Sequence, residues 1–346
     1  MKNVLGAGAA LLLTTGLASA GGLDRSGQSV AVIFEEGDYA ELSFGYVDPN
    51  VTGSGPGGDS GDMAPAYTSV GLAYKTDLDD RVSVAFILDE PFGANVDYSE
   101  PGYALTGTSA TVDTIGLTFL GNYQINERVS VHGGLRMLSA SGEVALVAPM
   151  PYASEYSGGS GAGYVLGAAY EIPDIALRAA LTYSSPIALE LDGSVGGNTL
   201  EATMPQTVNL DFQTGIAADT LLFGSIRWAD WSETVLVDSN LPAPLVDYDQ
   251  DTITYSVGIG RRFSDAFSGS ISIGYEAAQG GTTTDLAPTD GYVSLQVGGA
   301  YTMTNGVEIS GGVRYVKLGD TVGSGTGSAF ENNSAIGVGL KVGYNF

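Results

Sequence analysis

From residue 39 to the C-terminus, apolar side chains alternate with small or polar ones in runs about ten residues long, separated by stretches rich in Gly, Pro and Asp. In one run Phe267, Ile271, Ile273 and Tyr275 share a face, and Ser268, Ser270, Ser272 and Glu276 share the other. In the last run Ile336, Val338, Leu340, Val342, Tyr344 and Phe346 alternate with Gly337, Gly339, Lys341, Gly343 and Asn345. A period of two is that of an extended strand, whose successive side chains point to opposite faces. Runs of this kind predict an all-β fold, a transmembrane antiparallel β-barrel with its apolar face to lipid and its polar face to a lumen.

The runs predict fourteen strands at 39–48, 66–76, 81–90, 112–124, 128–138, 163–171, 175–186, 205–216, 220–231, 250–262, 267–276, 291–302, 307–317 and 334–346. An even number closes a barrel without a free edge. Connections alternate in length: tight turns at 77–80, 125–127, 172–174, 217–219, 263–266 and 303–306 interleave with long loops. Short turns belong to the periplasmic side and long loops to the outside, so both chain ends are expected in the periplasm. Tyr46, Tyr74, Tyr123, Tyr170, Tyr183, Trp228, Trp231, Tyr275, Tyr301, Tyr315 and Tyr344 lie near strand ends and read as interfacial girdles. Tyr is also favoured in strands generally.

Residues 1–20 carry the marks of an export signal: Lys2, an apolar core from Leu5 to Leu13, and Ala18-Ser19-Ala20 before the cleavage point. That apolar core is too short to span a bilayer as a helix, which takes roughly 20 residues. The absence of Cys fits an oxidising compartment. The net charge of -26 argues against nucleic acid, whose phosphates require clustered Lys and Arg. An acidic surface among lipopolysaccharide would need bridging divalent cations. The chain thus divides into a signal at 1–20, a short N-terminal hatch or plug at 21–38, and the barrel at 39–346.

The blocks 46–53 (YVDPNVTG), 69–75 (SVGLAYK), 81–84 (RVSV), 89–93 (DEPFG), 183–187 (YSSPI), 204–210 (MPQTVNL), 228–232 (WADWS) and the closing 343–346 (GYNF) stand in this order along the chain. Together they resemble the outer-membrane family of long-chain fatty acid and aromatic hydrocarbon transporters, the FadL family. The resemblance implies a fourteen-stranded barrel closed by an N-terminal hatch, a hydrophobic small-molecule ligand, and sideways exit through a gap beside the third strand. Residues 21–38 stand at the hatch position but are short and lack the family's Asn-Pro-Ala motif. The segment 81–90 contains no Gly or Pro before Pro91, which counts against an opening within that strand. The terminal Phe346 resembles the signal read by barrel-assembly machinery. Further expected partners are outer-membrane lipids and lipopolysaccharide, around a barrel expected to be monomeric.

Extending the alternation turns Arg136, Arg178, Arg227, Arg262, Arg314 and Lys341 inward, with Asp211 and Glu308 as possible partners. These cations either form a paired, hydrated lumen ladder, or one or two of them hold a carboxylate headgroup. Ile87, Leu120, Leu221 and Phe223 are apolar yet turned inward, as a greasy conduit requires. Two loops are apolar where outer loops should be polar: Leu146, Val147, Met150 and Tyr152 in one, Leu241 and Leu245 in the other. They either form an entry groove or pack together as a lid. His132, the one histidine, is predicted to face inward near the periplasmic end, with no nucleophile singled out beside it, so no enzyme is expected. No His or Cys cluster has metal-ligand spacing, and no cofactor is expected. Asp59, Asp62, Asp247, Asp249 and Asp251 could hold calcium but read as a solvated acidic surface. The rivals to a hydrophobic transporter are a general porin for small polar solutes and a structural or adhesive barrel.

Overall fold

In a computed structural model, which describes residues 22–346, the runs of alternation close into a fourteen-stranded antiparallel barrel. The export signal expected at 1–20 lies outside the described residues. The first three strands are β1 (Tyr39–Asn50), β2 (Tyr67–Asp77) and β3 (Val82–Asp89, resuming at Gly93–Asp97). Next come β4 (Ser109–Asn126), β5 (Val129–Leu146), β6 (Tyr152–Ile172) and β7 (Leu177–Ser184, then Ile187–Gly193). They are followed by β8 (Thr199–Met204, then Thr207–Ala217), β9 (Thr220–Ala229, then Val235–Asp238) and β10 (Thr252–Arg262). The last four are β11 (Phe267–Glu276), β12 (Tyr292–Thr302), β13 (Val307–Leu318) and β14 (Ser334–Asn345). The barrel shuts where β14 pairs with β1, from Tyr39 opposite Asn345 to Asn50 opposite Ser334.

The alternation works as the pattern requires. Phe267, Ile271, Ile273, Tyr275, Ile336, Val338 and Leu340 are exposed on the outer wall, where lipid would meet them, while Ser268, Ser294 and Ser310 are buried inside. The tight turns are held by side chains that accept from backbone N–H groups. Asp79 takes those of Arg81 and Val82 at 2.8 and 2.9 Å, and Asn126 those of Arg128 and Val129 at 2.9 and 3.1 Å. At the other end five short strands from three loops, at 52–55, 58–62, 282–283, 321–323 and 329–330, form a small separate sheet over the mouth.

Several strands outrun the predicted bounds. β4 and β5 have 18 residues each and β6 has 21, against the roughly 9–11 that cross a bilayer. Val144 to Leu146 and Tyr152, expected in a loop, are therefore strand, and the true connection is 147–151. The third strand continues past residue 90, and its break falls at 90–92, so Pro91 sits inside the strand's path rather than beyond its end. Trp231, expected in a girdle, is fully buried, because Asp230 ends the alternation and a 3₁₀ turn at Trp231–Glu233 swings the indole inward. Arg262 lies at the short-turn end and pairs with Asp219 of the neighbouring turn.

Candidate functional site

Two features of the wall and lumen meet at the break in β3. Below it, β2 and β3 pair from Asp77 opposite Ser83 to Leu72 opposite Leu88. Above it, Tyr67–Gly71 of β2 keeps its pairing with β1 but has no ladder to β3. Between the pairs Asp89–Gly116 and Gly93–Asp113, three residues of β3 stand against two of β4, so the strand bulges away from its neighbour. The inward positions of β1 and β2 here are Ser43, Gly45, Ser69 and Gly71, too small to fill the space behind the gap. A cavity of about 120 Å³ results, lined from outside by Phe44, Val70 and Leu340 and from inside by Ser29, Val32 and Glu41.

The backbone groups freed at the break are taken by the N-terminal segment. Arg25 N–H donates to the Pro91 carbonyl at 2.8 Å, Gly93 N–H to that of Leu23 at 2.8 Å, and Asp24 forms an antiparallel bridge with Phe92. Side chains add to this: Ser26 donates to Asp89, and the Arg25 guanidinium lies 4.4 Å over the Tyr67 ring and 3.1 Å from Asn95. Gly93 has no room for a side chain, because a Cβ there would run into that guanidinium. Further along, Val30, Val32 and Ile33 pack on the inward Ala73, Ala85, Ile87, Leu120 and Val165. Residues 22–38 thus press against the barrel's inner face along much of their length.

Arg262 aside, the expected lumen cations are all inside, and each is engaged. Arg227 forks onto Asp24, one of its two bonds measuring 3.0 Å. Arg136 donates to Gln28 at 2.6 Å and Thr118 at 2.9 Å. Arg178 lies 3.9 Å from Glu171 and 4.8 Å over the Phe34 ring, Lys341 is 3.0 Å from Glu41, and Arg314 stacks 5.3 Å over Tyr292. The acids within ion-pair distance are Asp24, Glu171 and Glu41, while the anticipated Asp211 and Glu308 interact with Arg178 and Lys341 from farther off. Arg227 and Arg136 are therefore committed to the N-terminal segment. His132 is buried, bonded to Thr182 at 3.0 Å and edge-on to Phe34. Among the described residues no cluster of His, Cys, Asp and Glu could hold a metal ion.

Toward the long-loop end the lumen turns apolar. Leu23 at the tip of the N-terminal segment, Ala94, Tyr156, Leu189, Leu191, Leu200, Met204, Leu236 and Tyr248 surround a cavity of about 60 Å³. Of the anticipated apolar positions, Leu245 lines this cavity, Leu146 and Tyr152 pack against the same cluster, and Phe223 and the half-buried Leu221 lie lower in the barrel. Leu241 is half-buried, and Val147 and Met150 remain exposed. A buried carboxylate braces the pocket: Asp238 accepts from Tyr156, from Tyr152 at 2.7 Å, from Asn198 at 2.6 Å and from the Asn240 backbone at 2.7 Å. Beneath it Trp231 stands edge-on to Phe92 at 6.0 Å and tilted on Tyr248 at 5.3 Å. The indole lies over Gly22, whose positive φ of 134° and lack of Cβ leave it room.

Leu189, Leu191, Leu200, Met204 and Trp231 are not singled out as pocket residues by the alternation of the membrane band, yet the sequence carries a signal for most of them. Leu189 and Leu191 alternate with Glu190 and Asp192, and Leu200 and Met204 flank Glu201 and Thr203. Charged residues are costly against lipid, so here the apolar set must face inward, the reverse of the membrane band.

At the short-turn end, burial first, with Glu41 and Glu308 adding to it and Lys341 and Arg178 opposing, pushes the Glu35 carboxyl up to about 7 from its ordinary 4.5. The raised value means that the protonated acid favours the docked segment, so docking is strongest below about 4.5 and weakens as pH rises through 7. Hydrogen exchange of the backbone amides at 30–38 should lose protection between pH 5 and 8 by roughly tenfold, a discounted share of the full shift in this partly wet site. Glu35→Gln should flatten that dependence.

Residues 33–346 match the model of a family described as outer membrane protein transport protein (OMPP1/FadL/TodX). Among solved structures, a Pseudomonas aeruginosa FadL homologue superposes with a TM-score of 0.77 at 15% identity, covering 91% of this chain and 92% of its own. The Pseudomonas putida toluene transporter TodX gives 0.66 at 14% over 91% and 92%, and the Ralstonia pickettii toluene transporter TbuX gives 0.65 at 14% over 100% of both. At such identities the structural likeness is one of fold. No curated protein sequence matches the chain. With the family model spanning nearly the whole barrel, this chain belongs to the OMPP1/FadL/TodX family of outer-membrane transport proteins.

Proposed function

We propose that this protein is a passive conduit for hydrophobic small molecules across the outer membrane, with entry at an apolar pocket under the outer loops and exit sideways through the wall. One observation carries the reading. The break at Glu90–Phe92 lies between two cavities: Asp89 and Glu90 line the one below, behind the stretch of β2 that lacks a ladder to β3, and Ala94 and Leu23, whose carbonyl takes the Gly93 N–H, line the apolar one above. An apolar solute held there moves to lipid without crossing the charged lower lumen. Residues 22–38 act as the hatch, closing the straight route to the periplasm through their contacts with Arg227, Arg136, Ile87 and Leu120. The likeness to toluene transporters agrees with an apolar cargo, and catalysis has no part in the scheme.

A general porin is the reading this arrangement favours least, because a porin needs an open aqueous lumen. Uptake by proteoliposomes separates the two. Purified protein should speed entry of toluene or a fluorescent fatty acid several-fold over empty vesicles and leave a small sugar such as arabinose unchanged. Acceleration of the sugar alone would overturn the proposal.

A further inference from the structure

The outer wall carries a dent that its own side chains do not fill. On the lipid-facing side of β4 and β5, Gly121 stands opposite Gly133 and forms the floor of a groove of about 390 Å³. One row above, an apolar line runs across four strands: Tyr74 opposite Phe86, Phe86 opposite Phe119, and Phe119 opposite Leu135. Phe86 and Phe119 meet edge-on at 5.2 Å, and Val84 borders the groove on the β3 side. One row below, Tyr123 lies exposed between Val82 and Val131.

Glycine inside a strand costs stability, and where the backbone does not require it, it marks a close approach by something else. Gly121 has no positive φ to demand it, and a Cβ there would meet only the Gly133 carbonyl, at 3.9 Å. Outward glycines elsewhere on the wall are covered by neighbours. A Cβ at Gly269 would meet the Phe263 ring at 3.1 Å, one at Gly299 the Phe267 ring at 3.5 Å, and one at Gly311 the Leu340 side chain at 3.7 Å. The room over Gly121 is thus left for a group outside the chain. A cavity of about 150 Å³ suffices for benzene, so this groove takes a longer apolar body.

The short-turn end beneath the groove is charged. Arg81 and Arg128 stand exposed on the turns that lead into β3 and β5, the strands on either side of β4. Among the described residues no ion pair engages either guanidinium, whereas Arg262 at the same end is paired with Asp219. Each of the two arginines follows an exposed acid, Asp80 and Glu127 respectively. Two such acid–arginine steps offer both signs of charge, which complements a zwitterionic headgroup: arginine for its phosphate, carboxylate for its ammonium.

We infer that the wall binds one phospholipid of the periplasmic leaflet, with an acyl chain in the groove over Gly121 and Gly133 and a phosphoethanolamine headgroup at Arg81 and Arg128. The groove is continuous with the lipid-facing surface and lies in the short-turn half of the barrel, where that leaflet meets it. Between lipid tails and an apolar wall no hydrophobic force discriminates, so preference for this position comes from packing into the dent and from the headgroup. The inference does not depend on the conduit proposed above.

Barrels in mild detergent are titrated with dioleoyl phosphatidylethanolamine, dioleoyl phosphatidylglycerol and dioleoylglycerol, and bound lipid is counted by native mass spectrometry. One phosphatidylethanolamine per barrel is expected, held roughly tenfold more tightly than dioleoylglycerol and about threefold more tightly than phosphatidylglycerol. Gly121→Leu, whose side chain enters the groove, should weaken it by roughly tenfold. Arg81→Gln with Arg128→Gln should bring phosphatidylethanolamine down to the level of dioleoylglycerol and leave dioleoylglycerol unchanged. Heat-modifiable migration on gels checks that the variants are folded, and if Gly121→Leu is not, the arginine pair alone decides. Equal binding of the three lipids, tighter binding of phosphatidylglycerol, or retention unaltered in both variants would mean an unselective lipid shell and overturn the inference. A dimer that Gly121→Leu dissociates would also overturn it, the groove then belonging to a second copy.

Discussion

In planar bilayers, Asp24→Asn is expected to conduct ions several-fold better than the wild-type protein, and its N-terminal segment to become accessible to protease. Asp24 is almost wholly buried and, forked onto Arg227, ties the N-terminal segment to β9. Removing one partner of a buried pair typically costs about 3–5 kcal/mol, because the other charge is left without compensation. What else holds residues 23–26, the backbone bonds to Pro91 and Gly93 and the side-chain contacts of Arg25 and Ser26, leaves the Arg227 charge uncompensated. Undocking would open the lumen past Arg136 and Arg178, and ions would follow. The paired replacement Asp24→Leu with Arg227→Leu removes both charges, so it should restore low conductance. If Asp24→Asn neither conducts nor digests faster, the N-terminal segment is not what closes this barrel.

The membrane band of the fold was legible because lipid imposes one rule on every strand: apolar out, small or polar in, with each backbone group paired. That rule places Phe267, Ile271, Val338, Leu340 and their equivalents on the outer wall, where they stand. Beyond the band the rule lapses. There water replaces lipid, and charged residues such as Glu190, Asp192 and Glu201 take the outer face while leucines turn in, so the same period of two carries the opposite meaning. The strands therefore run further than the membrane pattern that announces them.

Of the site, the inward cations were legible by parity alone, but their partners were not. Asp24 is 203 residues from Arg227, and Gln28 is 108 from Arg136, and no local pattern reports a contact of that range. The break in β3 hides for a different reason: Pro91 looks like the strand's end, whereas three residues of β3 set against two of β4 make it a bulge inside a longer strand. Trp231 and Tyr248 meet only because a 3₁₀ turn and a returning loop fold residues 231–248 back on themselves, a tertiary event with no period.

The second large effect concerns the wall. Ser43→Phe with Ser69→Phe is expected to slow toluene entry into proteoliposomes by roughly tenfold, equivalent to about 1.4 kcal/mol on the exit step. Both serines are half-buried inward residues on paired strands, Ser43 opposite Gly71 and Ser69 opposite Gly45, so their side chains flank the gap rather than a ladder bond. Two benzyl groups placed there exceed what a cavity of about 120 Å³ leaves free, and they would block the step from lumen to lipid while keeping the β1–β2 pairing. The pocket above, lined by Leu189, Leu191 and Tyr248, lies outside this change, so toluene binding in detergent should stay within about twofold of the wild type. A variant that binds normally but transports slowly places the exit between β2 and β3. Unchanged transport in a folded double variant would mean that solutes leave by another route, past residues 22–38 and into the periplasm.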